Sequence, residues 1–167
     1  MKLIYNKISY EYLTHYFFLT WQEILFGLNE KIINEAMVPY LASDYLAYKD
    51  EENKDALKLA IIESNESIFP YIEKLIEIEK PQNKEEIEKK WIYILMYWTY
   101  LNIDQYDDPL LVVEDIYCEF NHPQLLSKFI RYMPSDEPDL GSKELNIQRI
   151  YKRWQIYLKE NSFYKKL

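Results

Sequence analysis

The stretch NKEEIEKKWIYILMYWTYLN, residues 83–102, decides the fold. Asn83 followed by Glu86 is a box-like helix start, and an acidic first turn suits the positive end of the helix dipole. Ile87, Trp91, Ile94, Leu95, Trp98 and Leu101 then recur at three- and four-residue steps, the period of one helical face. From Trp91 to Leu101 the segment is apolar nearly all round, which requires neighbours on most sides. The spacing therefore predicts a central helix from Asn83 to Asn102 with Trp91, Ile94, Leu95 and Trp98 mostly buried.

The same signals repeat on either side. Upstream, Ser9 can cap a helix carrying Tyr10, Leu13 and Phe17, and Thr20 with Glu23 makes a capping box for a second helix that has Gly27 at its end. Asn34 can open a third through Tyr48, with Met37, Leu41, Tyr45 and Tyr48 on one face and Pro39 near its start. A polar loop, Lys49 to Lys54, precedes a short helix from Asp55 to Glu63. Ser67 is the expected cap of the next, with Pro70 in its first turn and Ile68, Ile72, Leu75 and Ile76 inward. Downstream, Asp108 and Pro109 read as N-cap and first position of a helix to Phe120, and Pro123 begins another through Tyr132. Residues 133–142, with Pro134, Pro138 and Gly141, form the one long loop. Ser142 opens a last helix over 143–160 with Ile147, Ile150, Tyr151, Trp154 and Leu158 inside. The expectation is an all-α, irregular multi-helix domain spanning 1–167, with about eight or nine helices stacked as antiparallel hairpins.

Composition narrows what such a fold can do. The chain has 167 residues, 49% of them hydrophobic, enough for one core without disulfides. Its two glycines, Gly27 and Gly141, argue against tight hairpins, phosphate-cradling loops and nucleophile turns alike. The lone cysteine, Cys118, lies beside Ile116, Tyr117 and Phe120 and is expected as a buried small hydrophobe, a reactive thiol being the alternative. With no signal-like N-terminus and no apolar run of spanning length, a cytoplasmic location and no membrane association are expected. Seventeen tyrosines invite a reading as an adhesive surface, but twenty Ile, ten Asn and seventeen Lys against three Arg fit AT-rich codons, which also favour Tyr. Tyrosine abundance assigns no function.

Chemistry is scarce. His15 and His122 have no partner at metal spacing, and His122 precedes Pro123 where it can cap a helix. The densest constellation is acidic: Asp104, Asp107, Asp108, Glu114, Asp115 and Glu119. Such carboxylates can hold a divalent ion for a metal-dependent enzyme, although the spacing matches no calcium loop. They equally serve as caps, solvated helix faces or a surface for a cationic partner. Charge is uneven: residues 140 to 167 carry +5 and residues 1 to 139 carry −13. An acidic body repels nucleic acid and attracts basic proteins. The proline-stiffened segment through Tyr132, Met133, Asp136, Glu137 and Asp139 could present Tyr132 and Met133 at low entropic cost.

The segments LTWQEILFGL (19–28), Asp107-Asp108-Pro109 leading to Glu114, Ile116 and Tyr117, FIRYMP (129–134), Asn146, Ile147 and Trp154 resemble a family of small uncharacterised bacterial proteins of this length. The resemblance covers nearly the whole chain and carries over no catalytic residue or cofactor. It implies a domain of unknown function, some of whose members lie near polymorphic-toxin loci as immunity proteins. The expected function is thus a non-catalytic cytoplasmic protein-binding module, in its specific form an immunity protein that masks a basic toxin domain. The alternatives are the metal-dependent enzyme and a helical adaptor or homo-oligomer.

Overall fold

A computed structural model describes residues 7–166. Among these residues the chain is all-α: eight α-helices and four short 3-10 turns, with a single isolated antiparallel bridge between Phe17 and Lys165 as the only β pairing. The described residues fall into two compact units, one of 7–87 with 165–166 and the other of 88–164.

The first unit holds α1 (Tyr10–Tyr16), α2 (Trp21–Asn29), α3 (Val38–Tyr48), α4 (Lys54–Ala60) and α5 (Phe69–Glu77). Helices α3 and α4, α4 and α5, α2 and α5, and α1 and α3 pack on one another. Ser9 caps α1, and the Thr20–Glu23 capping box opens α2 with both reciprocal bonds formed. Its remaining amides are met from far along the chain: the Glu79 carboxylate accepts from the Trp21 and Gln22 N–H groups at 2.7 and 3.1 Å. Glu23, only 2% exposed, also accepts from Gln82 Nε2 at 3.0 Å. A buried carboxylate is tolerable here because it is hydrogen-bonded at a helix N-terminus.

Gly27 lies two residues inside α2 rather than at its end. Its carbonyl accepts the N–H of Ile32, while the Lys31 N–H bonds to Leu28 O, a Schellman ending whose left-handed residue is Lys31 at φ 58°. Three further expectations need correction. A 3-10 turn, Glu35–Met37, precedes α3, and Tyr48 at its far end is exposed. Helix α4 is capped by Asn53, whose Oδ1 accepts from Asp55 and Ala56 N–H, and it stops at Ala60, short of Glu63. Ser67 does not cap α5; the helical backbone already begins at Ile68, which makes no side-chain capping bond.

Residues 165–166 complete this unit. Lys166 donates its backbone N–H to Tyr16 O at 2.7 Å, and its ammonium bonds Thr14 O, pairs with Asp44 at 3.1 Å and lies over the Phe18 and Tyr48 rings at 4.2 and 4.7 Å. The amine is thus satisfied by a carbonyl, a carboxylate and two π faces at once.

Helix α6 (Lys84–Leu101) enters the second unit at Glu88. Six consecutive residues, Trp91 to Met96, are buried, as the all-round apolar pattern requires, with Trp98 and Thr99 beyond them. Leu101, expected inside, is exposed because the last turn emerges from the core. This unit continues with α7 (Pro109–Glu119), a 3-10 run at Gln124–Phe129, α8 (Lys143–Glu160) and a final turn at Ser162–Tyr164. The 3-10 run packs on both α7 and α8. Buried Tyr93 donates its hydroxyl to Leu158 O at 3.1 Å and meets Tyr157 and Tyr164, tying α6 to the end of α8.

Several expectations change here too. The helix foreseen from Pro123 to Tyr132 is the 3-10 run, ending at Phe129. His122 does not cap it: with Asn121 it takes left-handed φ values of 56° and 60°, closing α7 in a second Schellman ending. Cys118 is exposed, not buried, because α7 turns Val113, Ile116 and Tyr117 inward instead. No helix of the described residues is long and apolar enough to cross a membrane.

Candidate functional site

The second unit gathers most of the residues singled out from sequence around one loop, 133–142, with all three arginines of the chain: Arg131 ties the entry to α7, and Arg149 and Arg153 hold the loop itself. Arg131 stands at its entry. Its Nη1 pairs with Asp108 Oδ2 at 2.6 Å and its Nε with Glu114 Oε1 at 2.8 Å, one cation bridging the N-terminus and the second turn of α7. The Glu114 bond and then the Asp108 bond hold the guanidinium proton more firmly than usual. Asp108 occupies the N-cap position, yet its carboxylate makes no capping bond because it faces Arg131.

Arg149 and Arg153 hold the loop from α8. One helical turn apart, they share a face. Glu137 inserts between them, 3.3 Å from Arg149 Nη1 and 2.8 Å from Arg153 Nη2, and this pairing, led by the Arg153 bond, keeps its carboxyl below the ordinary range. Arg149 also donates to Pro138 O at 2.8 Å and to Asn146 Oδ1 at 3.1 Å, and Arg153 donates to Lys128 O at 3.3 Å. Asp139 accepts from the Gly141 N–H at 2.6 Å and from Asn146 Nδ2 at 3.1 Å, and these bonds lower its pKa as well. Gly141, at φ 84°, supplies the left-handed backbone that this turn needs.

Two hollows flank Asn146. One, of about 260 Å³, is lined by Ser127, Lys128, Met133, Glu137, Arg149 and Arg153 among others. The other, of about 450 Å³ and more open, lies between Arg131, Asp139 and the start of α8.

The sequence-derived residues thus divide. Asp108 and Glu114 meet at Arg131; Met133, Asp136 and Glu137 line the first hollow, and Asp139 the second. Tyr132 projects at 63% exposure, its hydroxyl beside the Cys118 thiol. Asp104, Asp107 and Glu119 are exposed and Asp115 is half-buried. They do not converge: among the described residues no three His, Cys, Asp or Glu side chains are placed to hold a metal ion. The residues missed from sequence are Arg149, Arg153 and Lys128, whereas Arg131 and Asn146 carry the resemblance quoted above but had no place assigned in the site. A signal existed: in a chain that uses lysine almost throughout, arginine occurs only here, and it is the residue suited to planar carboxylate pairing.

A family model described as "uncharacterized protein conserved in bacteria (DUF2247)" matches residues 10–162. No curated protein and no solved structure matches the chain.

Proposed function

The chain belongs to that uncharacterised bacterial family, DUF2247, and on this premise we propose that it is a non-catalytic protein-binding module whose contact surface centres on Tyr132. The observation that supports this is a large amphipathic side chain, 63% exposed, on a loop already fixed by ion pairs on both sides. Ordering the contact loop is one of the costs of association, and here it is met before any partner arrives. Tyrosine is also among the residues that most often carry binding energy. In its specific form the partner is a basic toxin domain and the chain a cytoplasmic immunity protein.

Carboxylates of the acidic surface are of unequal use to a cationic partner. Asp108, Glu114 and Glu137 are engaged by arginine, whereas Asp104 and Asp107 are exposed near the start of α7. Charge reversal should therefore be made at Asp104→Lys plus Asp107→Lys, since reversing Glu137 would also release the loop.

The experiment is co-expression with the C-terminal toxin domain of a secreted protein encoded beside the gene, with association rates measured on the purified pair. Protection of the host is expected. Association should slow with added salt and with the double reversal, and Tyr132→Ala should weaken binding by about 2 kcal/mol or more, roughly thirtyfold in Kd, through faster dissociation. No protection and no binding would overturn the toxin-masking form. Binding indifferent to Tyr132→Ala would overturn the surface.

A further inference from the structure

The hollow between the 133–142 loop and α8 has more cationic capacity than the loop consumes. Lys128, Arg149 and Arg153 line it with Asp136 and Glu137, a net charge of +1, and Glu137 is the carboxylate paired to both arginines. Arg149 is mostly withdrawn from solvent, at 15% side-chain exposure, and its Nε–H is buried with no hydrogen-bond partner. A buried unsatisfied N–H on a cation is costly, and native structures rarely retain one without a reason. Glu137 itself is 54% exposed and rides on a loop without secondary structure, so it can leave without uncovering a core.

We propose that this hollow is a binding site for a phosphate group on a small anion, with Glu137 holding the anion's place between Arg149 and Arg153 until the ligand displaces it. One carboxylate supplies two oxygens and one negative charge. A phosphate supplies three free oxygens and up to two charges, enough to pair both guanidinium groups and offer an acceptor to the Arg149 Nε–H, while Asp136, also on the lining, offsets the charge of Lys128. A volume of about 260 Å³ admits the phosphate with a small body attached. Neither Tyr132 nor the acidic residues of α7 line this hollow, so phosphate binding is read without a protein partner, although displacing Glu137 would loosen the loop beside Tyr132.

Inorganic phosphate is the probe, titrated into the full chain at constant ionic strength set with chloride, with the arginine Nε–H resonances as readout. The Arg149 and Arg153 signals should shift in the wild type at millimolar phosphate. Glu137→Gln, which removes the internal competitor but keeps the side chain's size, should tighten phosphate binding about tenfold. Adding Arg149→Lys to Glu137→Gln should abolish that gain while the melting temperature shows the protein still folded. The proposal is overturned if Glu137→Gln binds phosphate no more tightly than the wild type. It is equally overturned if the Arg149 Nε–H signal stays fixed in both proteins up to tens of millimolar phosphate.

Discussion

Lys31 adopts a backbone conformation that costs an L-residue about 1–2 kcal/mol, and it does so to let Ile32 reach back to the carbonyl of Gly27 and bury its side chain. Glycine relieves the steric cost and adds a smaller entropic one, so Lys31→Gly should stabilise the protein by about 0.5–1 kcal/mol in urea unfolding. Tyr93 behaves oppositely. Burial pushes its pKa up to about 12 from an ordinary 10, so the neutral phenol stabilises the fold fully below pH 10 and that contribution is lost as pH rises through about 12. Tyr93→Phe leaves the Leu158 carbonyl without its donor. It should cost about 1 kcal/mol at neutral pH and make the alkaline fall in stability, followed by circular dichroism, less steep. Trp91, fully buried, is the larger test: Trp91→Ala should cost about 3–5 kcal/mol, read as a drop in melting temperature.

At the scale of elements, the 133–142 loop is a case in which electrostatics substitutes for hydrogen-bonded secondary structure. Glu137 and Asp139 both titrate below their ordinary values of 4.5 and 3.8, so their contribution is complete above about pH 5 and fades as pH falls through their lowered folded values. Amide protection factors in residues 134–141 should fall in that acid window while α8 stays protected, and Glu137→Gln should show the lower protection already at pH 7. The helices themselves were legible in the sequence wherever a local signal set them: Ser9, the Thr20–Glu23 box, the Asn83–Asn102 segment and Ser142 all lie where their spacing puts them. Expectation failed where the deciding partner is distant. Asp108 looked like a cap until Arg131, 23 residues on, took its carboxylate, and nothing local to α2 foretells that Glu79 meets its first amides. The acidic and tyrosine features of the candidate site could be read from composition, but the arginines that organise them could not be paired without the fold. Cys118 failed for another reason: apolar neighbours in sequence sit at successive 100° steps around a helix and need not share its face.

For the molecule as a whole, the two units are both acidic but unequally so: −6 over residues 7–87 with 165–166, and −3 over 88–164. Part of the basic tail after residue 140 is engaged internally, since Arg149 and Arg153 are turned to Glu137 and Lys166 to Asp44. Lys166→Ala strips Asp44 of its ammonium in a pocket where the lysine side chain is only 14% exposed. It should cost about 1–3 kcal/mol, with amide exchange rising at residues 14–18 and around Asp44 and leaving the interior of α8 unchanged.

Lys166 also sets an order of events during synthesis. A ribosome adds about 5–20 residues per second and releases the N-terminal part of a chain first, which ordinarily lets that part fold first. Here Tyr16, Thr14 and Asp44 await partners made some 120 to 150 residues later, so the nascent unit emerges complete in its helices but open at that edge. Its last step waits until residues 165–166 have been made and released, and a chain stalled before residue 165 would hold a formed but looser N-terminal unit on the ribosome.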